Sequence, residues 1–351
     1  MPETIIESFK VKRLDILDES GNIDESLRPP LSDDDIRKMY ELLVLSRTFD
    51  HRALDLQREG RLGTYASILG QEASQIASAF AFEKSDWVFP SFREMGVYIT
   101  LGYPLHMLFQ YWSGDERGLK TPKDMNIFPI CIAVGTHIPH AVGAAMAAQY
   151  RRDTIAAAAY FGDGGTSKGD FHEGLNMAGT FRLPVVFICQ NNQWAISVPR
   201  ERQSASKTLA QKAYAYGFEG IQVDGNDVFA VYKATKDSLD KAKRGGGPTL
   251  IECFTYRMAD HTTADDAARY RPKELIEGWK AKDPLLRLEL FMKKSGLLTD
   301  EYRKHVDEQS KRAVDEAVKN EESAVRPDPK DMLTYTYEKL TPRQVRERED
   351  L

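Results

Sequence analysis

The sequence predicts an α/β protein with a parallel sheet flanked by helices, preceded by a helical N-terminal section and followed by further helices. Two observations carry that expectation. Between Ile155 and Tyr256, short apolar runs of strand length alternate with longer helical patterns, and such alternation builds a parallel sheet covered on both faces. Two of the runs end directly on polar clusters, Gly162-Asp163-Gly164-Gly165 and Asn191-Asn192. Open parallel sheets bind their ligands at the carboxyl ends of strands.

The elements follow in order. Residues 1–31 read as a polar N-terminal extension ending in the linker Arg28-Pro29-Pro30. Ser32 before Asp33-Asp34-Asp35 is a helix start, with a hydroxyl cap and acids in the first turn. That helix carries Met39, Leu42, Leu43 and Leu45 to about Glu59 and stops at Gly60. Helices are expected over 72–81, 105–111 and 139–150, the first and last rich in alanine. The strands are expected at 155–161, 184–189, 220–223 and 249–256, with helices at 169–180, 209–216 and 228–241 between them. Residues 258–273 are polar and charge-dense, 299–320 form an amphipathic surface helix, and 341–351 are an exposed charged tail. Residues 32–340 thus read as one α/β domain.

Composition narrows the function. The chain has 351 residues, 42% hydrophobic and 29% charged, with a formal net charge of −5. No basic excess points to nucleic acid. No uncharged apolar run reaches the length of a membrane span. The acidic first 26 residues, from Glu3 to Glu25, are unlike a secretory or mitochondrial leader, so the expected location is cytoplasmic. Cys131, Cys189 and Cys253 are too scattered for a disulfide framework or a zinc site and are expected in the core.

The chemistry lies in the two strand-end clusters. Glycines after a strand let backbone approach a ligand, and the start of the next helix offers N–H groups to a phosphate. Asp163 and Asn192 supply hard oxygen donors on neighbouring strand ends, which with diphosphate oxygens and water could surround magnesium. Either cluster alone is most simply a turn. The pair, with residues 165–190 between, is more specific.

Here the sequence resembles thiamine-diphosphate enzymes, and in particular the alpha chains of pyruvate and branched-chain 2-oxo acid dehydrogenases. The likeness rests on the run from Tyr160 through Glu173 and on Gly70-Gln71-Glu72-Ala73, Phe92-Arg93-Glu94, Asp224-Gly225-Asn226-Asp227 and Thr255-Tyr256-Arg257 with His261. It extends from about Asp33 to Pro329. The resemblance implies the thiamine-diphosphate-binding fold, with thiamine diphosphate and Mg2+ as cofactors. Carried to this chain, it gives Asp163, Asn192 and the carbonyl of Trp194 to the metal, and Gly164, Gly165 and Arg93 to the diphosphate. Phe92, Val134 and the backbone of Ile196 would border the cofactor. His261 would be the catalytic group at the reacting carbon, and Tyr270 and Arg271 would stand at the mouth of the channel that a lipoyl arm enters.

The implied activity is oxidative decarboxylation of a 2-oxo acid with reductive acylation of a lipoyl group. The implied partners are a beta subunit, in an alpha2beta2 heterotetramer, and the lipoyl domain and core of an acyltransferase. An acetoin dehydrogenase alpha chain and a non-catalytic phosphate-binding subunit are the alternatives. Phe92 stands where related chains have tyrosine, and Gln190 where some branched-chain members have arginine. Cys131-Ile132-Ala133 does not match the Ser/Pro-rich potassium loop. Thr262 and Pro272 occupy the regulatory serine positions, so kinase control is not implied.

Overall fold

The computed structural model describes residues 3–334 and 336–351. Six strands form one parallel sheet: β1 (Lys12–Leu14), β2 (Trp87–Phe89), β3 (Ala157–Gly162), β4 (Val185–Asn191), β7 (Glu219–Asp224) and β8 (Thr249–Phe254). Their spatial order is β1-β7-β8-β4-β3-β2. A two-stranded antiparallel hairpin, β5 (Trp194–Ala195) with β6 (Val198–Pro199), follows β4.

The central strands are buried on both faces, and their side chains divide between two cores. Ala158, Tyr160, Val186 and Ile188 join the larger cluster, which includes helix Val228–Lys243 and the helical N-terminal section. Ala157, Ala159, Val185 and Phe187 join a second cluster under helices His137–Arg151 and Gly169–Phe181. Period-2 alternation thus serves both layers at once. The alanines of β3 hold little volume, so the helices above and below can sit close.

Several boundaries match the sequence expectation. Ser32 caps helix Asp33–Arg58 through a capping box with Asp35, and Gly60 follows it at φ 74°. Three features go beyond that reading. Within the N-terminal extension, Lys12–Leu14 pairs in parallel with Ile221–Val223 as the sheet's edge strand. Trp87–Phe89 adds the opposite edge, beside Ala157–Ala159. The charged end is a helix, Pro342–Asp350, capped by Thr341.

The arm before residue 32 is held by buried charge. Asp227 caps helix Val228–Lys243 with one carboxylate oxygen and accepts from the backbone N–H groups of Ile16 and Leu17, at 2.6 and 2.7 Å, with the other. Arg287, fully buried, donates to Asp224 at 2.9 Å and to the Leu17 carbonyl. No described helix is long and apolar enough to cross a membrane.

Candidate active site

In-register pairing sets Gly162 beside Gln190 and Asn191 beside Phe254, so the carboxyl ends of β3, β4 and β8 lie side by side. A cavity of about 530 Å³ opens there. Its walls include the ends of β3 and β4, the β5–β6 hairpin, the loop Ser91–Glu94, the loop carrying Ile132 and Val134, and His261. Ten of the residues singled out from the sequence border it: Phe92, Arg93, Val134 and His261 towards one side, and Asp163, Gly164, Gly165, Asn192, Trp194 and Ile196 from the strand ends and the hairpin.

At the strand ends, Asp163 to Ser167 form a short 3-10 turn before helix Gly169–Phe181. Gly164 packs against the hairpin, and a Cβ there would meet that of Ala195 at 2.8 Å. Asp163 is buried, and among the described residues its side-chain partner is the Gln203 amide at 3.0 Å. Burial pushes its carboxyl up to about 6, opposed by its own backbone N–H, by Gln203 and by the charges of Arg257 and Arg200. A carboxylate desolvated with so little direct compensation suits a cation. Asn192 is also buried; its Oδ1 accepts from the Trp194 N–H at 3.2 Å.

The hairpin after Asn192 turns sharply. Gln193 and Ile196 both have positive φ, 71° and 55°. That conformation is uncommon for a non-glycine residue and costly for a β-branched one. Arg257 stabilises it by donating to the carbonyls of Ile196, at 2.8 Å, and of Trp194, at 3.4 Å.

No group of three or more His, Cys, Asp or Glu side chains among the described residues is arranged to hold a metal. One carboxylate, one amide oxygen and the backbone carbonyl at Trp194 are too few for a hard cation by themselves. They fit one whose remaining ligands arrive with a diphosphate and water.

Arg93 and His261 form a second group. Arg93 is buried, donating to the carbonyls of Ser67 at 2.7 Å and His261 at 2.6 Å, and to His261 Nδ1 at 3.1 Å. Arg257 reaches the same Nδ1 at 3.3 Å. A guanidinium can only donate, so Nδ1 is the acceptor and the ring hydrogen sits on Nε2. Burial, then Arg93 and Arg257, press His261 down to about 4, so the ring is neutral at pH 7. Burial and Arg257 also lower Arg93, to about 10, which leaves it charged. Phe92 meets the His261 ring edge-on at 5.9 Å.

Tyr270 and Arg271 do not border the cavity. Tyr270 accepts from Arg257 at 2.8 Å and donates to Asp265. Arg271 is buried and donates to the carbonyls of Arg257, Met258 and Ala259. The Arg271 guanidinium ties the charge-dense loop together from inside. Of the three cysteines, Cys189 and Cys253 are in the core, while Cys131 is only half-buried.

Several participants carried no role in the sequence reading. Arg257 stood in a family landmark, yet its contacts with Trp194, Ile196 and His261 arise only when loops meet. Gln203 lies on a four-residue helix with no distinguishing pattern. Glu94 and Gln190 border the cavity and hydrogen-bond each other at 2.7 Å. Burial pushes Glu94 up to about 7.

A family model described as the dehydrogenase E1 component matches residues 40–330. The pyruvate dehydrogenase E1 component subunit alpha of Bacillus subtilis (strain 168) is 42% identical over 327 residues, covering 93% of this chain and 88% of the relative. The protein of the same description from Acholeplasma laidlawii is 42% identical over 328 residues, covering 93% and 95%. That from Staphylococcus aureus (strain Mu50 / ATCC 700699) is 41% identical over 333 residues, covering 94% and 90%.

Proposed function

The chain belongs to the dehydrogenase E1 component family and is the alpha subunit of a 2-oxo acid dehydrogenase, and on that premise we propose that it holds the magnesium diphosphate end of thiamine diphosphate and acts on pyruvate. The observation that carries this reading is the cavity that gathers Asp163, Asn192, Arg93 and His261 at the ends of β3 and β4. Bound there, thiamine diphosphate supplies the electron sink that lets a 2-oxo acid lose carbon dioxide.

The chain's own groups divide the work. Asp163, Asn192 and the Trp194 carbonyl hold the cation. Gly164 and Gly165 bring backbone close to the diphosphate, and the buried charge of Arg93 favours an anion nearby. Val134 and the strained backbone at Ile196 limit where a cofactor lies. His261, neutral and fixed through Nδ1, offers Nε2–H to an oxygen of the reacting acid. It is a hydrogen-bond donor held in one tautomer, rather than a standing base.

Pyruvate is favoured over branched-chain acids because the relatives above are pyruvate dehydrogenase subunits. The acyl group would pass to the lipoyl group of an acyltransferase, and the assembly would be a heterotetramer with a beta subunit. Helix His137–Arg151 supports a close-packed partner: Gly143 is exposed with open space beside it, and Tyr150 is exposed on the same helix. The test is acylation of an isolated lipoyl domain by the chain with its beta subunit. Pyruvate should support it at a higher kcat/KM than 2-oxoisovalerate or 4-methyl-2-oxopentanoate; a preference for either branched acid would overturn the substrate assignment.

A further inference from the structure

Only one end of the Asn192 amide can bind a cation. Oδ1 is an oxygen donor to the metal, whereas Nδ2 presents two hydrogens. In the structure Oδ1 accepts from the Trp194 N–H at 3.2 Å, and Nδ2 donates to Gln71 Oε1 at 2.9 Å. If the Asn192 amide turned over, Nδ2 would face the Trp194 N–H, donor against donor. Gln71 could still accommodate that turned amide by rotating its own Nε2 towards Oδ1. The Trp194 N–H therefore selects the orientation, and Gln71 Oε1 answers Nδ2 within it.

Gln71 is brought there by a close backbone approach. Gly70 sits at φ 90°, and a Cβ on it would lie 2.5 Å from the Tyr256 carbonyl oxygen. The Thr255 hydroxyl donates to the Gly70 carbonyl at 2.7 Å. Gln71 is fully buried and borders the cavity. Its Nε2 is buried with no hydrogen-bond acceptor among the described residues. An unanswered buried donor is unfavourable, and it sits within a few bonds of the atom that accepts from Asn192.

We infer that Gln71 is a positioning residue for cation binding: Oε1 holds the Asn192 amide with its oxygen as the end offered to the cation, and Nε2 is answered by an acceptor that arrives with the ligand, a phosphate oxygen or a cation-bound water. The inference rests on the reading that Asn192 is a cation ligand.

The test is a double-mutant cycle on the complex with the beta subunit, reading Mn2+ affinity by electron paramagnetic resonance in the presence of thiamine diphosphate. Q71M removes the acceptor. N192D replaces the amide by a carboxylate, which presents oxygen in either rotation. In the parent, Q71M weakens Mn2+ binding about ten- to a hundredfold, the range for lost support of a metal ligand; in N192D, where the Asn192 contact is no longer there to lose, it costs distinctly less. Q71E keeps an acceptor for Asn192 Nδ2 but loses the Nε2 donor, so it binds Mn2+ more tightly than Q71M and more weakly than the parent. An equal loss from Q71M in both backgrounds makes Gln71 a packing residue and overturns the inference, as does no loss in the parent. N192A separates the two readings: full Mn2+ affinity in that variant removes Asn192 from the metal, whereas weakened binding in N192A with parental binding in Q71M removes only Gln71. The Q71M/N192D protein also reports whether loss of the glutamine leaves the chain folded.

Discussion

Asp163 and His261 are both shifted by burial, in directions that set opposite working ranges. The Asp163 carboxyl, pushed up to about 6 from the ordinary aspartate value of 3.8, must ionise to take the cation proposed for it. A proton and the metal compete for its oxygens. The cation binding proposed for this carboxyl should therefore weaken as pH falls through about 6. Asp163→Ala should abolish magnesium-dependent binding of thiamine diphosphate at every pH, with the fold retained; calorimetry of parent and variant at pH 5 and pH 7.5 checks both points. His261, pressed down to about 4 from 6.5, stays neutral over that whole range. Below pH 6.5 the unfolded chain takes up a proton that the folded chain refuses until about pH 4, so this histidine makes the fold less stable across that window. It should contribute no ionisation to the pH profile of turnover between 5 and 8. His261→Ala should lose about 10²–10³-fold in turnover while thiamine diphosphate affinity stays within a few-fold. Normal lipoyl acylation by that variant would take His261 out of the mechanism.

At the scale of elements, the sheet's edges are where sequence and structure part. β3 and β4 were legible because unbroken apolar runs such as 155–161 and 184–189 read as strands buried on both faces. β1 was not, since Lys12-Arg13-Leu14 is short and polar and its partner is at Ile221–Val223. β2, Trp87-Val88-Phe89, is apolar but was hidden by its length of three residues between a helix and a loop. The site divides likewise. Asp163 and Asn192 lie at strand ends that periodicity locates, whereas Gln71, Arg257 and Gln203 become neighbours of the site through contacts between loops distant in sequence. Asp227 ties the two levels together, capping a helix and holding the arm before it. Replacing it by alanine removes a cap and leaves the Ile16 and Leu17 N–H groups unanswered, which should cost about 2–4 kcal/mol. Chemical denaturation measures the loss, and hydrogen exchange should show residues 12–17 opening first. A loss well under 1 kcal/mol would mean the arm is held by β1 pairing and Arg287 instead.

For the whole molecule, one parallel sheet and one cavity at its carboxyl edge account for half of a catalytic centre. The described residues contain the groups proposed above for a cation and a diphosphate, and a histidine donor. The rest of the chain is helical or edge structure, without a second parallel sheet among the described residues. A second subunit is therefore expected to complete the site around the cofactor. The most direct measurement follows carbon dioxide release from pyruvate with thiamine diphosphate, magnesium and an artificial electron acceptor, for the chain alone and with its beta subunit. Turnover only in the presence of both subunits is the predicted result; substantial turnover by the chain alone would contradict it.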